Sequence, residues 1–345
     1  MNYLLGIDVG TSATKTVLFD ENGRVTASAS QEYPLYQPEN GWAEQRPEDW
    51  ADAVLNTIKE VISKSGAGKD DVKGIGISGQ MHGLVMLDEM GEVIRPSIIW
   101  CDQRTGAEVE DMLKIMPREE WIRITANPPL TGWTAAKILW VRKNEPENYN
   151  RCRHILLPKD YIRYILTGVF ATEVSDASGM QLLDVPGRCW SDEVLKALNI
   201  DKDLLGKVYE SCEATGTLLA DMAKRTGLSE KCMVAGGAGD NAAAAVGTGV
   251  VKDGTAFTTI GTSGVVFAHT SKPAIDPKGR IHTCCCAVPG VWHMMGVTQA
   301  AGLSLKWFKD QFCQDLVKEA EEKGADVYDQ INKDVAAVAP GSNRL

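Results

Sequence analysis

Hydrophobic and polar positions alternate from the first residues of the chain. Leu4 to Ser30, LLGIDVGTSATKTVLFDENGRVTASAS, places apolar residues two apart on both sides of small-residue turns. That period predicts a meander of strands, with DENGRV as a hairpin turn. The period then changes. Over Arg46–Lys64, Trp50, Val54, Leu55, Ile58, Val61 and Ile62 share one face, which predicts a helix opened by Pro47, Glu48 and Asp49. VKGIGIS (72–78) reads as a strand, VMLDEMGEVI (85–94) as a second hairpin, and PSIIW (96–100) as a buried strand before a loop and helix. RHILLPKDYIRYILTG (153–168) gives a strand, a Pro-started helix and a Gly stop. CMVAGGAGDNAAAAVG (232–247) gives a strand, a Gly-rich turn and a short helix. Strands and helices alternate, so the expected class is α/β.

The pattern also repeats. LLGIDVGTSATKTVLFD has an echo in AFTTIGTSGVVFAHT (256–270), each an apolar strand, then Gly-Thr-Ser, then another apolar strand. The echo predicts two related half-domains presenting the same hairpin tip: Gly10, Thr11 and Ser12 in one, Gly261, Thr262 and Ser263 in the other. Such a tip exposes backbone N–H groups and hydroxyls with little bulk, which suits phosphate oxygens. Two tips facing each other would form a clamp. Asp8 breaks an apolar run two residues before the first tip. It either starts a turn or serves phosphates through Mg²⁺, a cation commonly held by one or two carboxylates and waters. Lys15 is a further candidate for the phosphates, or a solvated surface lysine.

A single charge, Asp240, stands in the Gly- and Ala-rich run AGGAGDNAAAAVGTG (235–249). At a helix start it is either an N-cap, as Asn241 also could be, or a carboxylate left bare for a ligand. The bareness favours a ligand. Transfer of a phosphoryl group to an alcohol needs an acceptor for the hydroxyl proton, and an aspartate can supply it. In GQMHGLVML, Gly79 and Gly83 flank Met81 and His82 and would let backbone approach a small ligand. His82 could donate to a sugar hydroxyl or be structural.

Composition narrows the chemistry. The chain has 345 residues, enough for two domains, with 44% apolar and 24% charged residues. Its net charge of −10 argues against nucleic acid or an anionic membrane as partner. Nine cysteines with no C-x-x-C spacing argue against a disulfide framework or a zinc ribbon. No basic, apolar leader and no long apolar run is evident, so a cytoplasmic location is expected. GIGISG (74–79) spells G-x-G-x-x-G but lacks the strand before it and the helix after it that a dinucleotide site requires. The thiols of Cys284, Cys285 and Cys286 would alternate faces along a strand and read as buried small residues.

GIDVGTSATK, GISGQMHG, IIWCDQR, LLPKDYIRYILTG, AGGAGDNAAAAVGTG and TTIGTSG, in this order, resemble the landmarks of the FGGY carbohydrate kinases. The wording is most similar to members that phosphorylate D-xylulose. The resemblance implies two ribonuclease-H-like domains of the actin and hexokinase type with the active site between them. Here the first, 1–245, would be complete and the second, 246–345, partial. It implies ATP and Mg²⁺ as cofactors and D-xylulose as the sugar substrate. Asp240 matches the general base, Asp8 the carboxylate acting on Mg²⁺ and phosphates, and Thr11 and Ser12 the first phosphate motif. Gly261 and Thr262 match the second phosphate hairpin, Met81 and His82 the sugar-contacting pair, and Asn241 the contact beside the base. Trp100, Asp102 and Arg104 fall near the sugar cleft in the family pattern. Glycerol kinases carry a charged pair in place of Met81 and His82; gluconate, ribulose and erythritol-like substrates stay open. Family members continue beyond APGSNRL (339–345) into a signature segment and an adenosine-binding loop, so the nucleotide half is expected to be incomplete. An exposed sheet edge would then invite association and leaves a homodimer open.

Overall fold

The computed structural model describes residues 2–261 and 263–342. The meander is present as β1 (Tyr3–Val9), β2 (Ala13–Asp20) and β3 (Val25–Glu32), antiparallel in sequence. At DENGRV, Asp20 Oδ1 accepts from the amides of Asn22 and Arg24 at 2.8 and 2.9 Å. Gly23 takes the left-handed φ of +76° that closes this turn. β4 (Val72–Gly79) lies parallel to β1 and contains the whole GIGISG run, so those glycines belong to a central strand. Three further strands complete a seven-stranded sheet: β5 (Ala214–Thr217), β6 (Met233–Ala235) and β7 (Ala238–Gly239). The order is β5-β6-β4-β1-β2-β3, and β7 pairs β4 beyond the end of β6.

The two faces of this sheet differ. Leu5, Ile7, Val9, Ile75, Ile77 and Val234 point to a buried face. There α1 (Pro47–Ser65) covers them with Trp50, Val54, Leu55, Ile58 and Val61, the face read from the 3.6-residue period. Each such buried aliphatic side chain contributes roughly 1.5–3 kcal/mol. A bond of 2.7 Å between the hydroxyls of Thr57 and Thr16 fixes α1 against β2. The opposite face carries Leu4, Gly6, Asp8, Gly74, Gly76 and Ser78, and it is open. Leu4 and Met233 are 56% and 53% exposed there, along a shallow apolar groove that also takes in Phe19, Cys212 and Ala235.

The second predicted hairpin is only half formed. Val85–Leu87 pairs instead with His154–Leu156, and its return arm meets it through one bridge, Leu87 to Val93. Pro96, which has no N–H, interrupts the pairing, and it resumes beyond at the bridge of Leu84 to Ile98. Around these short strands a second core forms from Met86, Ile98, Met112, Trp121, Ile155, Leu182 and Trp190. The helix α2 (Thr134–Asn144) packs into this second core, whereas α3 (Pro158–Thr167) packs Tyr161, Ile162 and Leu166 into the first, starting at proline and ending at left-handed Gly168 as expected. α4 spans Asp240–Gly247.

The chain divides into two compact units: Met1–Phe257 with Phe267–Met295, and Thr258–Val266 with Gly296–Leu345. A second sheet comprises β8 (Ala256–Ile260), β9 (Gly264–Thr270), β10 (His282–Cys285) and β11 (Trp292–Thr298), in the order β8-β9-β11-β10. Thus the echoing segment is also a pair of neighbouring strands. In the second unit α5 (Gly302–Phe312), α6 (Gln314–Lys323) and α7 (Val327–Ala336) follow. No helix among the described residues is long and apolar enough to cross a membrane.

Candidate active site

Parallel pairing of β1 with β4, and of β4 with β7, sets Asp8, Ser78 and Ala238 side by side at the carboxyl ends of the strands. Lys15 stands opposite Asp8 on β2. Two residues past Ala238 comes Asp240. Asp8, Ser78, Asp240, Asn241, Ala243 and Ala244 line one recess of about 400 Å³. The recess lies wholly in the first unit.

Asp240 is the first residue of α4, whose capping position is Gly239; its side chain makes no cap. The N-cap alternative is therefore replaced by another arrangement. Oδ1 of Asp240 accepts from the amide of Asn241 at 2.6 Å and from its Nδ2 at 2.8 Å. Asp240 is exposed among the residues that line the recess. The surrounding walls desolvate it and raise its pKa to about 6; the bond from Asn241 opposes the rise and the charge of Asp8 adds to it.

The glycines before Asp240 have a different purpose from the one expected. Gly237 has φ +78°, and a Cβ there would lie 2.1 Å from the carbonyl oxygen of Ile77. A Cβ on Gly239 would come within 2.9 Å of Met81 Cγ, and one on Gly236 within 2.9 Å of the Glu210 carbonyl. These residues are small because the strap presses on β4 and on Met81. The room for a guest comes instead from Ala243 and Ala244. The same correction applies to Gly79 and Gly83, whose faces meet Val9, Lys159 and Pro158 rather than a ligand.

Asp8 is exposed, and its Oδ1 accepts from Ser78 Oγ at 2.8 Å. Its Oδ2 accepts nothing among the described residues. Gly10, Thr11 and Ser12 form the tip between β1 and β2, closed by a bond of 3.1 Å from Gly10 N to Ala13 O. The Gly10 carbonyl accepts from Tyr33 Oη at 2.5 Å, and Gln45 Nε2 donates to the Thr11 carbonyl at 2.7 Å. The amides of Thr11 and Ser12 donate to no described residue, which leaves them for an anion. Lys15 is exposed, forms no ion pair among the described residues, and lines with Asp8 the groove next to the recess.

Met81 and His82 do not line the recess. Met81 is buried and packs on Gly239, the residue before Asp240. His82 has a left-handed φ of +67°. Lys137 Nζ and Thr134 Oγ1, both on α2, hold its carbonyl at 2.8 and 3.1 Å. Its ring stacks on Trp133 with centroids 4.8 Å apart. Nδ1 is 2.8 Å from the Gly179 carbonyl, which only accepts, so Nδ1 carries the proton and Nε2 is left as an acceptor. Burial lowers the His82 pKa to about 3. The neutral ring therefore offers Nε2 as a hydrogen-bond acceptor, where the sequence suggests His82 as a donor.

Of the neighbouring trio, Trp100 donates from Nε1 to Thr11 Oγ1 at 2.9 Å. Asp102 is fully buried; it accepts from Ala43 N and pairs with Arg104, whose guanidinium lies 3.7 Å over the Trp42 ring. Asp102 and Arg104 brace the chain, and only Trp100 reaches the hairpin tip. In the second unit, Gly261 N donates to Ser263 O at 2.9 Å, and a Cβ on Gly302 would lie 2.5 Å from the Gly261 carbonyl, so α5 begins tight against this tip. Thr262 lies outside the described residues. Cys284, Cys285 and Cys286 are buried, with burial raising all three thiols.

Sequence reasoning passed over Ser78, Gln45, Thr134 and Lys137. Ser78 was accessible to it through strand register; a lysine that holds backbone carbonyls leaves no such signal.

Residues 3–247 match the model of the N-terminal domain of the FGGY family of carbohydrate kinases. The chain belongs to that family. Among FGGY relatives it is 39% identical to the xylulose kinase of Bacillus subtilis, over the whole chain and 67% of the relative. It is 41% identical to that of Escherichia coli, over 88% of the chain and 62% of the relative. A xylulose kinase structure from Rhodospirillum rubrum superposes with a TM-score of 0.91 at 27% identity, covering 99% of this chain and 68% of that one. A gluconate kinase structure from Lactobacillus acidophilus gives 0.85 at 28% identity, covering 93% and 66%. The chain therefore spans about two thirds of the length of these relatives. Its fold is the actin and hexokinase-like ATPase fold, with one full FGGY domain and part of a second.

Proposed function

We propose that the protein phosphorylates a ketopentose, converting D-xylulose and ATP to D-xylulose 5-phosphate and ADP in the cytoplasm. The observation that supports this best is the accessible Asp240 carboxylate, sharing its recess with Asp8. The likeness to xylulose kinases supports D-xylulose as the sugar. We assign 1–245 to sugar binding and the first phosphate motif, and 246–345 to part of the nucleotide-binding domain.

In this reading Asp240 accepts the proton of the sugar O5 hydroxyl as O5 bonds to the γ-phosphorus. The bond from that phosphorus to the bridging oxygen breaks, and ADP leaves with the electron pair. A pKa of about 6 leaves Asp240 mostly ionised at neutral pH and basic enough to take the proton. Asn241 holds its rotamer. Met81 and His82 receive the sugar, with His82 Nε2 accepting from a hydroxyl. The free amides of Thr11 and Ser12, with Lys15, receive phosphate oxygens; Gly261 and Thr262 are assigned the same task in the second hairpin. Mg²⁺ would neutralise developing phosphate charge. No group of three or more His, Cys, Asp or Glu residues able to hold a metal occurs among the described residues. Asp8, with an oxygen that accepts nothing, fits a cation that otherwise takes water and phosphate oxygens.

Asp240→Asn is expected to lower turnover in a coupled ADP assay by about 10²–10⁴-fold, with much less effect on sugar affinity. Turnover within a few-fold of wild type would refute the base. A panel with gluconate, ribulose and erythritol tests the sugar. Calorimetry separates a chain that binds without turnover: heat with D-xylulose and none with Mg·ATP.

A further inference from the structure

Behind the strap that carries Asp240 lies a cluster of ionisable side chains the reaction does not use. Lys159 and Arg163 on α3, Asp160 between them, and Glu173 and Asp176 nearby are all buried. Lys159 Nζ is 2.7 Å from Asp160, 3.3 Å from Glu173 and 3.6 Å from Asp176; Arg163 is 3.0 Å from Asp160. Burying so many charges is expensive, and replacing them with apolar residues often costs nothing or stabilises. What such a cluster can supply is a fixed point.

Its connections lead to the strap. Glu173 Oε1 accepts from the amide of Asp176 and from Ser175 Oγ, both at 2.8 Å. Glu173 Oε2 accepts from the amide of Ser175 at 2.8 Å and from Ser211 Oγ at 2.5 Å. With its own hydrogen donated in a bond to Glu173, Ser175 Oγ accepts from Gly239 N at 3.1 Å, the amide just before Asp240. Arg163 Nη1 donates to the Gly236 carbonyl at 2.8 Å, and the Ser211 carbonyl accepts from Gly237 N at 3.0 Å. Three of the four residues before Asp240 are thus tied to this cluster, and the last tie is a single hydroxyl.

We propose that Ser175 is a positioning residue for Asp240, transmitting the fixed geometry of Glu173 and Lys159 to the residue that begins α4. It touches neither the recess nor any reacting atom. The proposal rests on Asp240 being the base. Without the hydroxyl, Gly239 N loses its acceptor and the first turn of α4 is free to move. Misplacement of about 1 Å in a reacting group costs on the order of 100-fold in rate.

The test uses the full chain. Ser175→Ala is expected to lower kcat for D-xylulose by about 10- to 100-fold, leaving KM for the sugar within about threefold and the melting temperature within a few degrees. Ser175→Thr, which keeps the hydroxyl, should restore most of kcat. Hydrogen exchange supplies a readout independent of turnover: the Gly239 amide should exchange faster in Ser175→Ala while the amides of β4 stay protected. Loss of turnover in Asp240→Asn, together with wild-type kcat or unchanged Gly239 exchange in Ser175→Ala, overturns the inference alone. Retained turnover in Asp240→Asn, or none in the wild-type chain, overturns it together with the proposed function.

Discussion

At the scale of single residues, Asp240 shows how the surroundings of one side chain couple its charge to stability. Its folded pKa of about 6 lies above the 3.8 usual for an aspartate, so the fold favours the protonated form. The corresponding stability is fully present below about pH 4 and is lost as pH rises through about 6. Asp240→Asn carries no such charge. Its melting temperature should exceed that of wild type at pH 7, the excess shrinking through pH 6 and vanishing near pH 4. Thermal scans across that range check this; equal melting temperatures at pH 7 would contradict it. Asp240 was legible in the sequence because it was the only charge among small residues. Why its neighbours were small was not legible. The approach of Gly237 to Ile77 and of Gly239 to Met81 joins residues far apart in sequence, and composition cannot distinguish a glycine cleared for a ligand from one pressed against a strand.

At the scale of elements, periodicity read the structure well where one face of an element is buried. The meander, α1 and α3 follow from it, because packing enforces the same period that the sequence displays. It failed at Val85–Ile94, where the partner strand comes from His154–Leu156 and no local signal names it. It was silent on α2, whose Lys137 reaches the carbonyls of His82 and Gly132, both at 2.8 Å. This amine is buried and forms no ion pair among the described residues, and burial lowers its pKa to about 7. Lys137→Met takes a donor from the carbonyls of His82 and Gly132, leaving only Thr134 Oγ1 on the left-handed turn at His82. Denaturant melts at pH 7 should show a loss of about 1–3 kcal/mol. The sign with pH is also fixed. A lysine whose folded pKa is depressed contributes stability that is present above its unfolded value, near 10.5, and is lost as pH falls through about 7. Between pH 7 and 10 the wild type should gain stability that the variant does not.

At the scale of the whole molecule, the two units are unequally anchored. The first holds the recess and both large cores. In the second, α5 has no buried residue, α6 buries only Ala320 and α7 only Ile331. Leu303, Leu305, Trp307, Phe308 and Phe312 of α5 are all exposed. Segments with few buried contacts open first. Limited proteolysis should therefore cut beyond Gly296 before it cuts the first unit, and the trimmed product should still bind D-xylulose in calorimetry. Earliest cleavage within α1 or β4 would contradict this. The repeated Gly-Thr-Ser signature did mark two pairs of neighbouring strands.

One feature of the first unit bears on how the protein behaves in a tube. The open side of its main sheet leaves Leu4 and Met233 wet. Attraction between such oily patches is driven by released water and weakens on cooling. Concentrated samples should turn cloudy when warmed or when sulfate is added, and clear again on ice.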